Sequence, residues 1–222
     1  MLLKTRSMRS LSSSVSGLFL LLSTSAFAAG QATPGDPIKP VPLANKTTSE
    51  STDAAQRRPE VVIATNMGEI AVRLNPEKAP KTVANFLSYV DSGHYKDTIF
   101  HRVISSFMIQ GGGFSESMQK KPANQTVENE ADNGLINELG TIAMARTSDP
   151  HSASAQFFIN TQYNANLDHT SKTGPGWGYT VFGEVFRGSN VIQTIKRVPT
   201  ATKGRMRDVP VEPVIIYDIK RI

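Results

Sequence analysis

The stretch FHRVISSFMIQGGGF, Phe100 to Phe114, embeds a single arginine and a glutamine among Phe, Met, Val and Ile. It reads as two short strands, around Thr98–Ile104 and Phe107–Gln110, because β-branched and aromatic residues crowd both runs. Side chains of a strand alternate between its faces, so His101 and Arg102 are expected on opposite faces and Met108 and Gln110 on the same one. The pattern does not say which face is outward. For a lone arginine, the plain alternative is an edge-strand side chain lying over the core with its charged head in water.

Working outward, Val61–Thr65 and Glu69–Leu74 are further β-rich runs, and Asn66-Met67-Gly68 between them signals a hairpin. Pro80 suits the first turn of a helix in which Val83, Phe86, Leu87 and Val90 recur at helical spacing, with Gly93 just past its end. Short strands are expected around Thr141–Ala145, Gln156–Asn160, Val181–Val185 and Val214–Ile219. A second helix, capped by Ser189 or Asn190, would bury Val191, Ile192 and Ile195. Many short strands with two isolated helices predict a mostly β fold, a closed antiparallel β-barrel capped by two helices, and not a parallel α/β sheet. The long polar stretches 115–140 and 161–180 look structureless, and loops of that length in a compact domain are usually functional.

The ends of the chain differ in kind from this domain. Lys4, Arg6 and Arg9 precede an apolar Leu18–Leu22 core, and Ala26-Phe27-Ala28 offers the small residues of an A-x-A cleavage site, so 1–28 reads as a secretory signal peptide. An uncleaved anchor is the competing reading, but a spanning helix needs about 20 apolar residues and serines interrupt this shorter run. Residues 29–59, rich in Pro, Ser and Thr, have too little apolar surface to order themselves and read as a flexible linker. Residues 60–222 make one domain. Two Asn-x-Thr sequons, at Asn45 and Asn124, carry no meaning in a bacterium. An exported, cysteine-free chain suits a bacterial periplasm, and a eukaryotic secretory route stays open. No membrane association is expected once the signal is removed, and a monomer is the default.

Composition removes several classes of function. The formal charge of +5 comes from 24 Lys+Arg against 19 Asp+Glu; without Lys4, Arg6 and Arg9 it is 21 against 19, or +2. That balance gives no case for nucleic acid. Zero cysteine rules out disulfides, thiol nucleophiles and thiolate zinc sites. The four histidines, His94, His101, His151 and His169, show no metal-ligand spacing, so no metal is expected. Gly111-Gly112-Gly113 lacks the Lys-Ser/Thr of a phosphate loop, and no G-x-S-x-G nucleophile elbow occurs.

The run FHRVISSFMIQGGGF closely resembles the signature of the cyclophilin-type peptidyl-prolyl cis–trans isomerases. Thr141–Ala145, Gln156–Asn160 and Val181-Phe182-Gly183 are similar to that family's later blocks, in the same order. The resemblance covers essentially residues 60–222, and the spacing of the last two blocks is most similar to the periplasmic bacterial branch. It implies a cofactor-free isomerase acting on proline-containing segments of folding proteins, with Arg102 as the catalytic guanidinium. Phe107, Met108, Phe158 and Leu167 would line the proline pocket, and Gln110 and Gln156 would orient the substrate backbone. Ala145 takes the family's small contact position. Arg146 stands where the family often has an asparagine that binds through its backbone. Asn166 falls at the family's tryptophan position and Tyr179 at its pocket histidine. A proline-peptide chaperone using the same groove without turnover is the competing class, and retention of Arg102 argues against it. An adhesion or scaffold protein tethered by 29–59 has no feature beyond the linker in its favour.

Overall fold

Strands β1 (Glu60–Thr65) and β2 (Gly68–Leu74) form the expected hairpin, paired from Glu60↔Arg73 to Thr65↔Gly68. The computed structural model describes residues 58–123 and 125–222; the signal segment 1–28, the linker as far as residue 57, and the sequon residues Asn45 and Asn124 lie outside the described residues. Beyond the hairpin follow β3 (Thr98–Ile104), β4 (Met108–Ser115), β5 (Thr141–Met144), β6 (Phe157–Asn160) and β7 (Val181–Arg187). β8 (Thr200–Lys203), β9 (Met206–Pro210) and β10 (Ile215–Arg221) complete the set. Eight of them close into an antiparallel barrel in the order β1-β10-β3-β4-β6-β5-β7-β2, while β8 and β9 pair only with each other. With the two α-helices of the described residues this is the architecture expected of the sequence.

Alternation along the strands sorts the apolar side chains into two clusters. Ile109 of β4, Phe157 and Ile159 of β6 and Ile142 and Met144 of β5 join the main core, together with Ile63, Ile70, Val72 and Phe182. Their neighbours one residue away, Met108, Phe158 and Ala143, face the other way and form a second cluster with Leu167 and Val181. Met108 and Gln110 therefore share the outward face. β4 does not stop at Gln110. The glycine run has little intrinsic strand preference; pairing with β6 ends at Gly111, Gly112 turns to φ +81° where the register against β3 shifts, and the strand closes on the pair Ser115↔Thr98.

Helix α1 (Pro80–Asp91) starts with proline in its first turn, and Ala79 provides no side-chain cap. A residue from the 115–140 loop fills that gap. Glu130 accepts hydrogen bonds from the backbone N–H of Lys81 (3.1 Å) and Thr82 (2.8 Å) and from the Thr82 hydroxyl (2.7 Å). A carboxylate there also complements the helix dipole. Phe86 on the buried face meets the rings of Tyr95, Phe157 and Phe182 at 5.3, 5.8 and 5.1 Å. Helix α2 (Ser189–Ile195) buries Val191, Ile192 and Ile195 as expected, but its cap is Gly188, not Ser189 or Asn190. At Gly188 φ is +92°, and a Cβ would stand 2.3 Å from the Glu69 carbonyl oxygen. Only glycine meets both conditions.

The two long polar loops are ordered by buried asparagines. Asn137, fully buried, donates to the Leu167 carbonyl (3.0 Å) and to Asp168 Oδ1 (3.0 Å) and accepts from Asn160 Nδ2 (3.2 Å). Asn164 donates to the Phe107 carbonyl (2.8 Å) and to Asn160 Oδ1 (2.7 Å). Each such bond adds about 1 kcal/mol net, but leaving one of these buried groups unpaired costs more. The network joins both loops to the β3–β4 turn and β6.

Candidate active site

Strand register assembles the site. Arg102 of β3 lies opposite Gln110 of β4, Gln110 opposite Phe158 of β6, and Phe158 opposite Ala143 of β5. Adjacent strands are about 4.8 Å apart, so the row sets the backbone of Arg102 about 10 Å from that of Phe158 across the barrel wall. One step along, Ile104 pairs with Met108 and Met108 with Asn160.

At the aromatic end of the row Met108, Ala143, Phe158, Leu167 and Val181 form an apolar cluster, with Phe107, Ala145 and Tyr179 packed against it, and this is the cluster that the family resemblance makes the proline recess. The Tyr179 ring meets Phe158 edge-on at 5.7 Å. Arg146 stacks over the other side of Tyr179, its guanidinium carbon 4.5 Å from the ring centroid, and its Nε donates to the Gly178 carbonyl (2.9 Å). Its side chain thus braces the wall of the recess. The backbone N–H of Tyr179 donates to the Leu167 carbonyl (2.8 Å), joining the two halves of the 161–180 loop across the recess.

The polar end is a cleft of about 400 Å³. Gln110 Nε2 donates to Gln156 Oε1 at 3.0 Å. Gln156 lies flat over Gly113, where a Cβ would stand 2.4 Å from its Cγ, so glycine at that point makes room for the pair. Arg102 Nε is 3.8 Å from Asp208 Oδ2, and both side chains are 41% exposed. The alternation that would part His101 from Arg102 is broken. β3 carries an extra residue between the pairs Phe100↔Gly111 and Arg102↔Gln110, and both side chains border the same cleft. A second, larger cavity, about 670 Å³, adjoins it across Gln110 and Gln156.

His101 is 3% exposed and packs against Phe114, with ring centroids 4.6 Å apart. Burial lowers its pKa to about 4, against the pull of the Ile99 backbone and with a smaller push from the Arg102 charge. At neutral pH it adds no second charge beside the guanidinium. A histidine neutral in the fold and ionising near 6.5 when unfolded makes the unfolded chain bind more protons between those values. Stability is therefore full above pH 6.5 and declines as pH falls toward 4, by roughly 3 kcal/mol for a shift of this size. Denaturant melts across that window are expected to show the decline, and His101→Phe to flatten most of it. His94, which burial also shifts downward, adds to the decline. An unchanged slope in His101→Phe contradicts the assignment.

Ten of the eleven residues singled out in the sequence meet around this row: Arg102, Gln110 and Gln156 in the cleft, Phe107, Met108, Phe158, Leu167 and Tyr179 at the recess, and Ala145 and Arg146 at its edge, while Asn166 stands exposed in the turn beside Leu167. Asp208 was not foreseen. It lies in an exposed polar hairpin far along the chain, where no periodicity marks it. The Asn137–Asn160–Asn164 network also escaped notice, since isolated asparagines in loops carry no pattern.

A family model described as cyclophilin type peptidyl-prolyl cis-trans isomerase/CLD matches residues 60–221. The chain is 59% identical over 160 residues to the peptidyl-prolyl cis-trans isomerase cyp18 of Streptomyces antibioticus, covering 72% of this chain and 96% of that one. It is 51% identical over 159 residues to peptidyl-prolyl cis-trans isomerase B of Escherichia coli, covering 72% and 97%. Among solved structures, a cyclophilin type peptidyl-prolyl cis-trans isomerase of Cryptosporidium parvum, determined in the presence of the dipeptide Ala-Pro, superposes with a TM-score of 0.62 at 30% identity. That match covers 72% of this chain and 97% of the other.

Proposed function

The chain belongs to the cyclophilin-type peptidyl-prolyl cis–trans isomerases and catalyses rotation about X–Pro bonds, and from that premise we propose how its residues do so and where they act. The observation that carries the mechanism is the row Arg102–Gln110–Phe158, which places a permanent cation beside an apolar recess across three adjacent strands. The recess takes the proline ring and supplies the fixed end against which the rest of the peptide turns. Gln110 and Gln156, already paired to each other, orient the substrate backbone, and Ala145 leaves room for it at the edge.

Rotation must break amide resonance across a barrier of about 18–20 kcal/mol, and unaided it takes tens to hundreds of seconds. At the twisted transition state the proline nitrogen regains a lone pair. A donor placed there stabilises that state selectively, because the planar ground state offers it little to hold. Arginine suits the task, being always charged and carrying a rigid fork of donors. A charge-assisted hydrogen bond of about 1.5–3 kcal/mol corresponds to roughly 10- to 150-fold in rate. The apolar recess adds to this, since the twisted amide has less charge separation than the planar one. The test is NMR exchange on a panel of Xaa-Gly-Pro peptides. Exchange cross-peaks between cis and trans are expected at catalytic amounts of protein. Binding without accelerated exchange would leave only a proline-peptide receptor.

The same protein is proposed to act in the periplasm as a monomer, on exported proteins as they fold, within the periplasmic branch of its family. The basic residues Lys4, Arg6 and Arg9, the Leu18–Leu22 core and the Ala26-Phe27-Ala28 site support export, and the Pro- and Ser-rich 29–59 segment would serve as a flexible lead into the domain. N-terminal sequencing of periplasmic material is expected to begin at Ala29. A chain still starting at Met1 and held in the membrane would refute this.

A further inference from the structure

We propose that Asp208 is a positioning residue for the isomerisation, its carboxylate carried on a bulge of the β8–β9 hairpin to hold the Arg102 guanidinium at the groove. The proposal rests on the reading of Arg102 as the donor to the prolyl nitrogen. Three observations support it.

The first is backbone geometry. Lys203 pairs with Met206 and Ala201 with Val209, so two steps along β8 match three along β9, and β9 carries an extra residue. Within that bulge Asp208 has φ +61°, in the left-handed region that L-residues seldom occupy. Bulges re-aim side chains, and a residue held in a sparse conformation points to a task that the conformation serves. The second is where the side chain goes. Asp208 Oδ2 lies 3.8 Å from Arg102 Nε, the one ion pair of Arg102 among the described residues. At that distance it is a charge contact and no hydrogen bond, so the donors of the fork stay free for substrate. The third is the charge around it. The cleft is also lined by Lys120 and Arg207, and among the described residues Asp208 is its one carboxylate. Without it, the charged side chains that line the cleft are all cationic.

The experiment uses the whole protein and three substitutions, the first two of which the local backbone accepts. Asp208→Asn keeps shape and tolerance of positive φ but loses the charge; Asp208→Gly removes the side chain at a φ glycine adopts freely; Asp208→Glu keeps the charge on a longer arm. Asn and Gly variants are expected to lose roughly 1.5- to fivefold in kcat, the range for an exposed pair, with KM and denaturant midpoint unchanged. Asp208→Glu should recover part of the loss. Because the pair is exposed, raising salt to about 1 M should screen it, so that the gap in kcat between wild type and Asp208→Asn closes. In an Arg102→Gln background, where the charge is gone, Asp208→Asn should cost less than in the wild type, since the two act as a unit. Wild-type kcat in Asp208→Asn, or an equal loss in both backgrounds, overturns the proposal. Wild-type turnover in Arg102→Ala would instead overturn the reading of Arg102 on which it rests, so the two failures are distinct.

Discussion

Arg102→Ala is expected to slow isomerisation by roughly one to three orders of magnitude at unchanged stability, from the lost charge-assisted bond together with lost positioning. The fold should survive because nothing in the core depends on this side chain. It is 41% exposed and makes one long ion pair, while its neighbours Val103 and Phe100 supply the burial that fixes β3. An interaction made mainly in the transition state lowers kcat and kcat/KM together, whereas a lost ground-state contact would raise KM alone. Arg102→Lys should rescue only in part, since a point ammonium lacks the fork. Exchange NMR beside a denaturant melt separates the outcomes. Wild-type turnover in Arg102→Ala at unchanged stability would show that the arginine merely covers the barrel wall.

How far this site can be read from sequence depends on which residues carry a pattern. Met108, Ile109 and Gln110 alternate cleanly, so the strand and the shared face of Met108 and Gln110 follow from period two alone, and Pro80 with its helical repeat announces α1. Choosing the outward face, and giving Arg102 and Phe158 their roles, took the family resemblance, because alternation is symmetric between faces. What stayed hidden was set by non-local geometry. The extra residue in β3 that brings His101 into the cleft beside Arg102 leaves no mark in the sequence, since any residue can fill a bulge. Gly188 as the cap of α2 is dictated by the Glu69 carbonyl from another strand, while Ser189 and Asn190 carry the usual capping chemistry and mislead. The 161–180 loop looked structureless for a related reason. Its order comes from Asn137 and Asn160, which lie outside it: Asn137 donates to the Leu167 carbonyl and Asn160 accepts from Asn164 Nδ2.

That loop decides the second large effect, sensitivity to the cyclic peptide cyclosporin, which members of the family bind to differing degrees. Asn166 lies in the 3-10 turn Ala165–Leu167, exposed, directly before the Leu167 side chain that helps close the recess. The turn is held firmly, because the Leu167 carbonyl accepts from both Asn137 Nδ2 and the Tyr179 N–H. Where the resemblance places a tryptophan, with an indole donor and a broad apolar face, this chain offers a short, hydrated amide. Losing most of a buried aromatic contact forfeits about 1.5–3 kcal/mol, or roughly 10- to 150-fold in affinity. Weak inhibition by cyclosporin is therefore expected of the unmodified protein, together with full turnover, because Arg102 and the Met108–Phe158 recess do not depend on the rim. Asn166→Trp should tighten inhibition by about that factor without a comparable gain in rate, and the exposed position leaves space for the larger ring. Titration of both proteins in the exchange assay measures it. Nanomolar inhibition of the unmodified chain would mean that another side chain supplies the rim contact and that Asn166 is not its counterpart.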